Sequence, residues 1–182
     1  MVIVVVVVGL VCVVIFIPFS SKEVDIAVAV ETASLVRFSL DRNALDYALA
    51  LNLTWSNNGS FVVRYNELRA KVFFSGETFG MAVIPGFSQE TRNTSTVSVE
   101  FKGQTRMADE AAETYSREKV DGNYEFNVEV DARLWKEKNN RKEEVLETEA
   151  ISAVVDCWIN VALMSNSSSP RTFERTQCRV KF

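Results

Sequence analysis

In the stretch NYEFNVEVDARLW, from Asn123 to Trp135, polar and apolar side chains alternate from Asn123 to Leu134. One phase is apolar and consists of Tyr124, Phe126, Val128, Val130, Ala132 and Leu134. The other phase, from Glu125 to Arg133, is charged or carries an amide. Successive side chains of a strand point to opposite faces, so the stretch predicts a strand with one buried and one solvated face. Strands of this kind form antiparallel sheets.

The same alternation occurs in LDYALALNLTW (Leu45 to Trp55) and, over shorter runs, in most of the chain after Ser20. The tripeptide Asn57-Asn58-Gly59 predicts a tight hairpin between Leu45–Trp55 and the next strand, because Asn-Gly adopts positive φ angles. The Ala- and Glu-rich segment from Met107 to Val120 predicts one short helix that crosses between sheets. About eight strands with regular turn signals predict an all-β antiparallel sandwich over residues 24–182.

The chain starts with VIVVVVVGLVCVVIFIPF, Val2 to Phe19, which contains no charged side chain. Eighteen helical residues extend roughly 27 Å, close to the hydrocarbon thickness of a bilayer. We therefore predict that residues 1–19 form a single transmembrane signal-anchor helix, with residues 2–19 contacting lipid and residues 20–23 forming a linker. A cleavable signal peptide and a buried core strand are the alternatives.

The composition disfavours catalysis, because none of the 182 residues is histidine. Its absence removes the commonest general base and every His-containing zinc site. A net charge of −4 gives no electrostatic support to nucleic-acid binding. The carboxylate pairs Asp109-Glu110 and Glu143-Glu144 are interpreted as solvated surface. We predict a protein that is not an enzyme and has no catalytic, cofactor-binding or metal-binding residues, with carboxylate or lysine chemistry as the enzymatic alternative.

Four glycan-acceptor sequons occur in the chain, and they matter only if the domain enters a secretory lumen. They begin at Asn52, Asn58, Asn93 and Asn166. Asn52 lies on the polar phase of a predicted strand, and the other three lie in turn-like sequence. All four are predicted glycosylation sites, and ordinary turn asparagines are the alternative.

Cys157 and Cys178 are placed symmetrically around the loop MSNSSSP. Folding the two flanking segments back as a hairpin sets these cysteines opposite each other, with Val155 opposite Val180 and Ala153 opposite Phe182. All six residues lie on the apolar phase, so register and alternation agree. The sequence thus predicts a cross-strand Cys157–Cys178 disulfide, with two buried reduced thiols as the alternative.

The order of several segments resembles one plant protein family. They are LNLTWSNNGSFVVRYNELRAKVFFSGETFG, IPGFSQETRNTSTVSVEFKGQ, DGNYEFNVEVDARLW and the two-cysteine ending VVDCWINVALMSNSSSPRTFERTQCRVKF. In this order they resemble the plant harpin-induced and non-race-specific disease-resistance-like proteins. The extracellular part of that family is the late embryogenesis abundant group-two domain, also called the water-stress and hypersensitive-response domain. The resemblance covers roughly Val24 to Phe182.

The resemblance implies a single-pass plasma-membrane glycoprotein with an extracellular sandwich of fibronectin type III or immunoglobulin type. It also implies a role in pathogen defence, the hypersensitive response and abiotic stress, and no catalytic residues. Two departures stand out. Asn57-Asn58-Gly59 replaces the usual Asn-Pro-Asn, and no basic cytosolic tail precedes the apolar segment, as expected of a truncated sequence or a missing cytosolic partner site.

Two modes of action follow from this reading. In the first, the module binds cell-surface proteins through the loops at Pro85–Thr94 and Lys136–Glu144, and a homo- or hetero-oligomer is one form that this binding takes. In the second, the sandwich opens an apolar groove that binds lipid or contacts a membrane. The predicted lining of that groove is Phe73, Phe74, Phe79 and Phe87.

Overall fold

The computed structural model describes residues 24–137, 150–164 and 173–182. Within these ranges the chain forms eleven strands and one helix. The strands are β1 (Ile26–Asp41), β2 (Ala44–Asn57), β3 (Val62–Tyr65), β4 (Leu68–Phe74), β5 (Glu77–Ile84), β6 (Phe87–Gln89), β7 (Asn93–Arg106), β8 (Asn123–Glu137), β9 (Ile151–Ala162), β10 (Thr176–Gln177) and β11 (Arg179–Lys181). The helix α1 (Asp109–Glu118) connects β7 to β8.

Two antiparallel sheets face each other across one core. The first sheet has the order β10-β1-β2-β7, and the second has the order β11-β9-β8-β3-β6, with β4 pairing to both β8 and β5. Apolar side chains from both sheets and from α1 form a single buried cluster. The chain is therefore mostly β, with the two-layer antiparallel arrangement that the sequence predicts.

The two strands with the clearest alternation are confirmed. All six apolar residues of β8, from Tyr124 to Leu134, are buried, as are those of β2 from Leu45 to Trp55. The predicted helix is confirmed within Met107–Val120, where α1 buries Ala111 and Tyr115 against the sandwich. These elements follow the hydrophobic period because their backbones are regular.

The tight hairpin predicted at Asn57-Asn58-Gly59 is wrong, because β2 and β3 belong to different sheets and do not pair. The side chain of Asn57 closes this connection itself: its Oδ1 accepts from the Gly59 N–H at 3.1 Å, and its Nδ2 donates to the Phe61 carbonyl at 2.8 Å. Positive φ angles occur instead at Arg42-Asn43 and Ser75-Gly76, which make the two-residue turns β1–β2 and β4–β5.

The last strands depart from the predicted simple hairpin. Val155 pairs with Val180 as predicted, but pairing with β9 is confined to Arg179–Lys181. Just before, Thr176–Gln177 pairs with β1 of the opposite sheet. The chain therefore crosses from one sheet to the other at Cys178. Phe182 lies beyond β11 and is 63% exposed, so the predicted pairing of Phe182 with Ala153 is wrong.

Several predictions fall outside the described residues. These are the anchor at residues 1–19, the linker at 20–23, the sequon at Asn166, the pair Glu143-Glu144 and most of the Lys136–Glu144 loop. In the part of the chain that the structure describes, no helix is both long and apolar enough to cross a bilayer.

β3 and β4 lie end to end along one line of the second sheet, and β5 and β6 lie end to end along the neighbouring line. Both lines are interrupted at the same level of the sheet. β3 and β4 pair in turn with β8, and the interruption at Asn66-Glu67 faces Pro85-Gly86 on the neighbouring line. Gly86 approaches the opposite backbone so closely that a Cβ atom there would lie 2.6 Å from the Tyr65 carbonyl oxygen and 2.8 Å from that of Asn66. The interruption therefore requires glycine at position 86.

We expect Gly86→Ala to lower the free energy of unfolding by about 2–3 kcal/mol, because backbone atoms must shift to admit the methyl group. Gly76→Ala is the matched control. A Cβ at Gly76 has open space, so only its positive φ opposes alanine, with an expected cost of about 1 kcal/mol. Urea titration read by pulse proteolysis of the full chain in detergent measures both. Equal losses for the two variants would contradict the close approach at Gly86.

Candidate binding surfaces and modification sites

Cys157 and Cys178 are bonded in the structure, with an S–S distance of 2.01 Å and a Cα–Cα distance of 4.5 Å. Both residues are buried. The backbone N–H of Cys178 donates to the Val28 carbonyl on β1 at 2.9 Å, while its sulfur joins β9. The disulfide thus fastens the chain where it passes between the sheets.

The sequon at Asn52 lies in the middle of β2, between β1 and β7. Its Nδ2, the atom that would carry a glycan, donates to Thr32 Oγ1 at 2.8 Å. Its Oδ1 accepts from the Ser98 hydroxyl at 2.6 Å. The sequon hydroxyl of Thr54 donates to Glu31 at 2.9 Å, and Arg175 donates to the same carboxylate at 2.7 Å. These polar contacts hold three strands together across the outer face.

Arg175 favours the ionised form of Glu31. Its hydrogen bond to Glu31, followed by the one from Thr54, lowers the pKa of the Glu31 carboxyl from its ordinary value. The carboxylate form therefore persists as an acceptor for both donors. The side chains around the Asn52 sequon thus form a set of complementary hydrogen-bonding groups, and each of them already has a partner.

Asn58 and Asn93 lie in different surroundings. Both side chains are exposed at one end of the sandwich, where Asn57 pairs with Asn93 at the edge of the sheet. Asn58 Nδ2 makes one long contact, 3.4 Å to Asp25. Asn93 uses its Oδ1 to accept from the Thr94 N–H at 2.7 Å, and its side chain is exposed. Both amides can carry a substituent without disturbing the sheets.

The predicted contact loop at Pro85–Thr94 is partly a strand. Phe87–Gln89 forms β6 against β3, and Gln89 is fully buried. The Gln89 amide donates to the Trp55 carbonyl, and its oxygen accepts from the Tyr65 hydroxyl at 3.3 Å. Burial raises the pKa of that tyrosine. Ser88 of β6 and the segments beside this strand, including Glu90 to Arg92, present exposed side chains for contact.

The four phenylalanines of the predicted groove do not come together. Phe74 and Phe79 are buried and pack on Phe38 in the core, with ring centroids 5.2 and 5.7 Å away. Phe87 stacks on Tyr65 at 4.6 Å, near the opposite end of the sandwich. Phe73 points to the outer face of the second sheet, because neighbouring strand residues alternate. In this structure the four residues therefore do not line a common groove.

A cleft of about 490 Å³ lies between the C-terminal half of α1 and the outer face of the second sheet. Phe73 and Trp158 flank Asn127 on adjacent strands, and Arg117 and Glu118 line the helix side. The lining also includes Ser75, Gly76, Thr114 and Glu125. Trp158 is 61% exposed, although most tryptophans are largely buried.

The polar groups of this cleft are already arranged by the fold. Asn127 Nδ2 donates to Asp156 at 2.6 Å, and the Glu118 carboxylate accepts from the Glu125 N–H at 3.2 Å. Burial raises the pKa of Glu118. The sequence contains a signal for this site, because Trp158 occupies the polar phase of β9. A large aromatic on a solvated face is a feature of binding surfaces.

The outer faces contain ion pairs, and no catalytic arrangement is seen among the described residues. Lys71 Nζ lies 2.9 Å from Asp131 and 3.4 Å from Glu129, and the hydrogen bond to Asp131 raises the pKa of Lys71. Asp109 accepts from the Asn43 amide at 2.7 Å at the start of α1. Within the described ranges no three potential ligand side chains converge on a metal position.

Comparisons with known proteins decide the family. No family model matches the chain. Over 156 residues the chain is 30% identical to NDR1/HIN1-like protein 3 of Arabidopsis thaliana, covering 84% of this chain and 66% of that protein. The chain belongs to the NDR1/HIN1-like family. A solved structure of a protein from Archaeoglobus fulgidus shares 7% identity over 74% of this chain and 99% of its own, with a TM-score of 0.36, which supports no further argument.

Membership in the NDR1/HIN1-like family confirms the resemblance drawn from the sequence segments. Those segments map onto β2 to β5, β6 to β7, β8, and β9 to β11, so they form most of both sheets. The aligned region spans just under two thirds of the Arabidopsis relative's own length. The activity and partners of a whole NDR1/HIN1-like protein are therefore matters for proposal.

Proposed function

We propose that this NDR1/HIN1-like protein is a single-pass, non-enzymatic plasma-membrane glycoprotein of plant defence and abiotic stress. Residues 1–19 anchor it, and its fibronectin-like sandwich binds proteins outside the cell. The Cys157–Cys178 bond is the observation that carries this proposal, because disulfides persist mainly in oxidising compartments. A bilayer-length apolar segment ahead of such a domain fits export followed by anchoring.

The fold relates the candidate surfaces to the proposed anchor. β1 begins at Ile26, which pairs with Asn57, and Asn57 pairs with Asn93. This end of the sandwich is therefore nearest the bilayer, together with the Glu90–Arg92 segment. Trp158 pairs with Asn127, roughly 30 Å further along β8 from its end at Glu137. The Trp158 cleft is thus the surface presented to partners away from the membrane.

Protease protection and glycosidase treatment of the full chain in microsomes test this proposal. We expect a protected fragment that contains the sandwich, a shift to higher mobility after glycosidase, and resistance to alkaline extraction. A chain released by alkali, cut by external protease and free of sugar would overturn the proposal.

Sequon use gives a sharper prediction in the same microsomes. We expect Asn58→Gln and Asn93→Gln each to remove one glycan, because both side chains are exposed at one end of the sandwich. We expect Asn52→Gln to leave the gel mobility unchanged, because a glycan on Asn52 would break its contacts with Thr32 and Ser98.

Asn66→Gln, at an exposed asparagine outside any sequon, is the control for mobility changes unrelated to sugar. Glycosidase treatment should bring every variant to one common mobility. A mobility gain in Asn52→Gln that disappears after glycosidase would show that the inner position carries sugar.

A further inference from the structure

Trp158 is the largest apolar side chain that the fold leaves in solvent among the described residues. It is 61% exposed on the outer face of β9, between the buried residues Cys157 and Ile159. An exposed indole contributes little to the core, whereas in a binding site this one rigid side chain supplies a large contact area. The cleft beside Trp158 is therefore a candidate ligand site.

The sheet side of this cleft is aromatic. Phe73 pairs with Asn127, and Asn127 pairs with Trp158, so the three side chains lie side by side on adjacent strands of the outer face. Neighbouring strands lie about 4.8 Å apart, which places the Phe73 and Trp158 backbones roughly 10 Å from each other. Between these residues, the Asn127 amide is fixed by its hydrogen bond to Asp156 at 2.6 Å, and its Oδ1 can accept from a ligand. The sheet side thus combines two apolar rings with one oriented amide.

The helix side of the cleft is polar. It is lined by Thr114, Arg117 and Glu118 of α1, and Glu125 of β8 adds a second carboxylate. Two contacts hold α1 beside the sheet. The hydroxyls of Ser75 and Thr114 lie 3.3 Å apart, and the Glu118 carboxylate accepts from the Glu125 N–H at 3.2 Å. Both sides of the cleft are therefore in place before a ligand arrives, which lowers the entropic cost of binding.

We propose that this cleft binds a neutral hexopyranose unit of an oligosaccharide. A pyranose ring has an apolar face of C–H groups, which are positively polarised and stack on the negative face of an indole such as that of Trp158. Its rim consists of hydroxyl groups, each of which both donates and accepts. The rim therefore matches the donors of Arg117 and the acceptors of Glu118 and Asn127. The cleft volume of about 490 Å³ lies within the range of about 300–1,000 Å³ that small-molecule sites have.

The charges of the cleft favour a neutral ligand over a charged one. The lining contains one guanidinium, Arg117, and two carboxylates, Glu118 and Glu125. An anionic ligand would lie against the carboxylates and a cationic ligand against the guanidinium, whereas hydroxyl groups pair with both. A second cleft, of about 550 Å³ around Asn66, has no aromatic residue in its lining. It lacks a surface on which a sugar ring stacks, so we do not expect it to share this ligand.

Sugar binding goes beyond the proposed protein binding and rests on the proposed function only for the placement of the cleft away from the membrane. The same ring chemistry occurs in polysaccharides and in the glycans of glycoproteins. Binding in the cleft does not require the anchor, because every lining residue belongs to the sandwich and its helix. The sugar site and the membrane topology can therefore fail independently of each other.

An oligosaccharide array tests the ligand class with the full chain in a zwitterionic detergent, because a detergent with a sugar headgroup would compete. The array contains neutral polysaccharide fragments of glucose, galactose or mannose, neutral protein-linked glycans, and acidic and amine-containing oligosaccharides. We expect binding to at least one neutral hexopyranose oligosaccharide, and the two neutral sets distinguish a polysaccharide from a protein glycan. Binding to no neutral oligosaccharide, or to charged ones alone, would overturn the proposal.

Substitutions at Trp158 test the location of the site. For the neutral oligosaccharide that binds best, Trp158→Ala should weaken the affinity about tenfold or more, and Trp158→Phe should weaken it less because a ring remains. Phe182→Ala is the matched control, since Phe182 is an aromatic residue outside the cleft with a similar exposure of 63%, and the affinity should not change.

Two further measurements separate loss of binding from loss of folding. The urea midpoint of Trp158→Ala should match that of the wild-type protein, because the side chain is mostly exposed. Arg117→Ala removes a second exposed side chain of the lining and should weaken the affinity about threefold, as expected for one lost hydrogen-bonding group. If Trp158→Ala and Arg117→Ala both bind the oligosaccharide as tightly as the wild-type protein does, the cleft is not the sugar site.

Discussion

Replacing Phe38 by alanine is expected to lower the free energy of unfolding by about 3–5 kcal/mol. Phe38 lies on β1, is 2% exposed, and contacts aromatic rings of the opposite sheet and of α1. The ring centroids of Tyr124, Phe126, Phe74, Phe79 and Tyr115 lie 4.7, 5.1, 5.2, 5.7 and 5.7 Å from it. Its removal leaves a cavity shared by both sheets and the helix.

Urea titration of the full chain in detergent, read by pulse proteolysis, measures this loss. Val36→Ala is the matched control two residues earlier on β1, where the side chain is mostly exposed, and it should change stability by less than about 0.5 kcal/mol. Phe38→Leu should fall between the two, because it keeps part of the buried volume. A loss below about 1 kcal/mol for Phe38→Ala would show that the rings repack around the gap.

The burial of Phe38 could not be predicted from the alternation of apolar and polar residues. Alternation identifies β2 and β8 because their pairing is regular along each strand. β1 contains register shifts at Glu31 and Val36, and each shift moves the inward phase by one residue. Val28, Leu35 and Phe38 are all buried although they do not share one two-residue period. A strand of sixteen residues is therefore recognisable from its sequence only at its start.

Some features of the candidate sites could likewise be predicted from the sequence, and others could not. The pairing of Cys157 with Cys178 was predictable, because both cysteines lie on the apolar phase of flanking segments. The crossing of the chain between sheets at Cys178 was not, because it depends on hydrogen bonds from Thr176–Gln177 to β1. The Trp158 cleft depends on α1 lining one side of a space that Phe73 of β4 and Trp158 of β9 line on the other, and these three elements are distant in sequence. Contacts between elements that are distant in sequence produce no local periodicity from which the cleft could be predicted.

Removing the disulfide is the second change for which we expect a large effect. Cys157→Ala and Cys178→Ala should each lower the free energy of unfolding by about 3 kcal/mol, because the bond closes a loop with a sequence separation of 21 residues. Alanine is preferred to serine here, since a hydroxyl at these buried positions would add its own desolvation cost.

The location of the bond predicts more than a loss of stability. β10 and β11 pair over only two and three residues, so without the bond few contacts keep the crossing segment on β1 and β9. Hydrogen exchange at Cys178 and Val180 should therefore accelerate well before exchange at Val128 in the middle of β8. The double variant should lose no more stability than either single variant, because all three lack the same bond. Cys12→Ala is the control and should leave the unfolding midpoint unchanged, and reductant should bring the wild-type protein to the midpoint of the double variant. If exchange instead accelerates equally in every strand, the bond stabilises the sandwich as a whole and does not specifically fasten the crossing between its sheets.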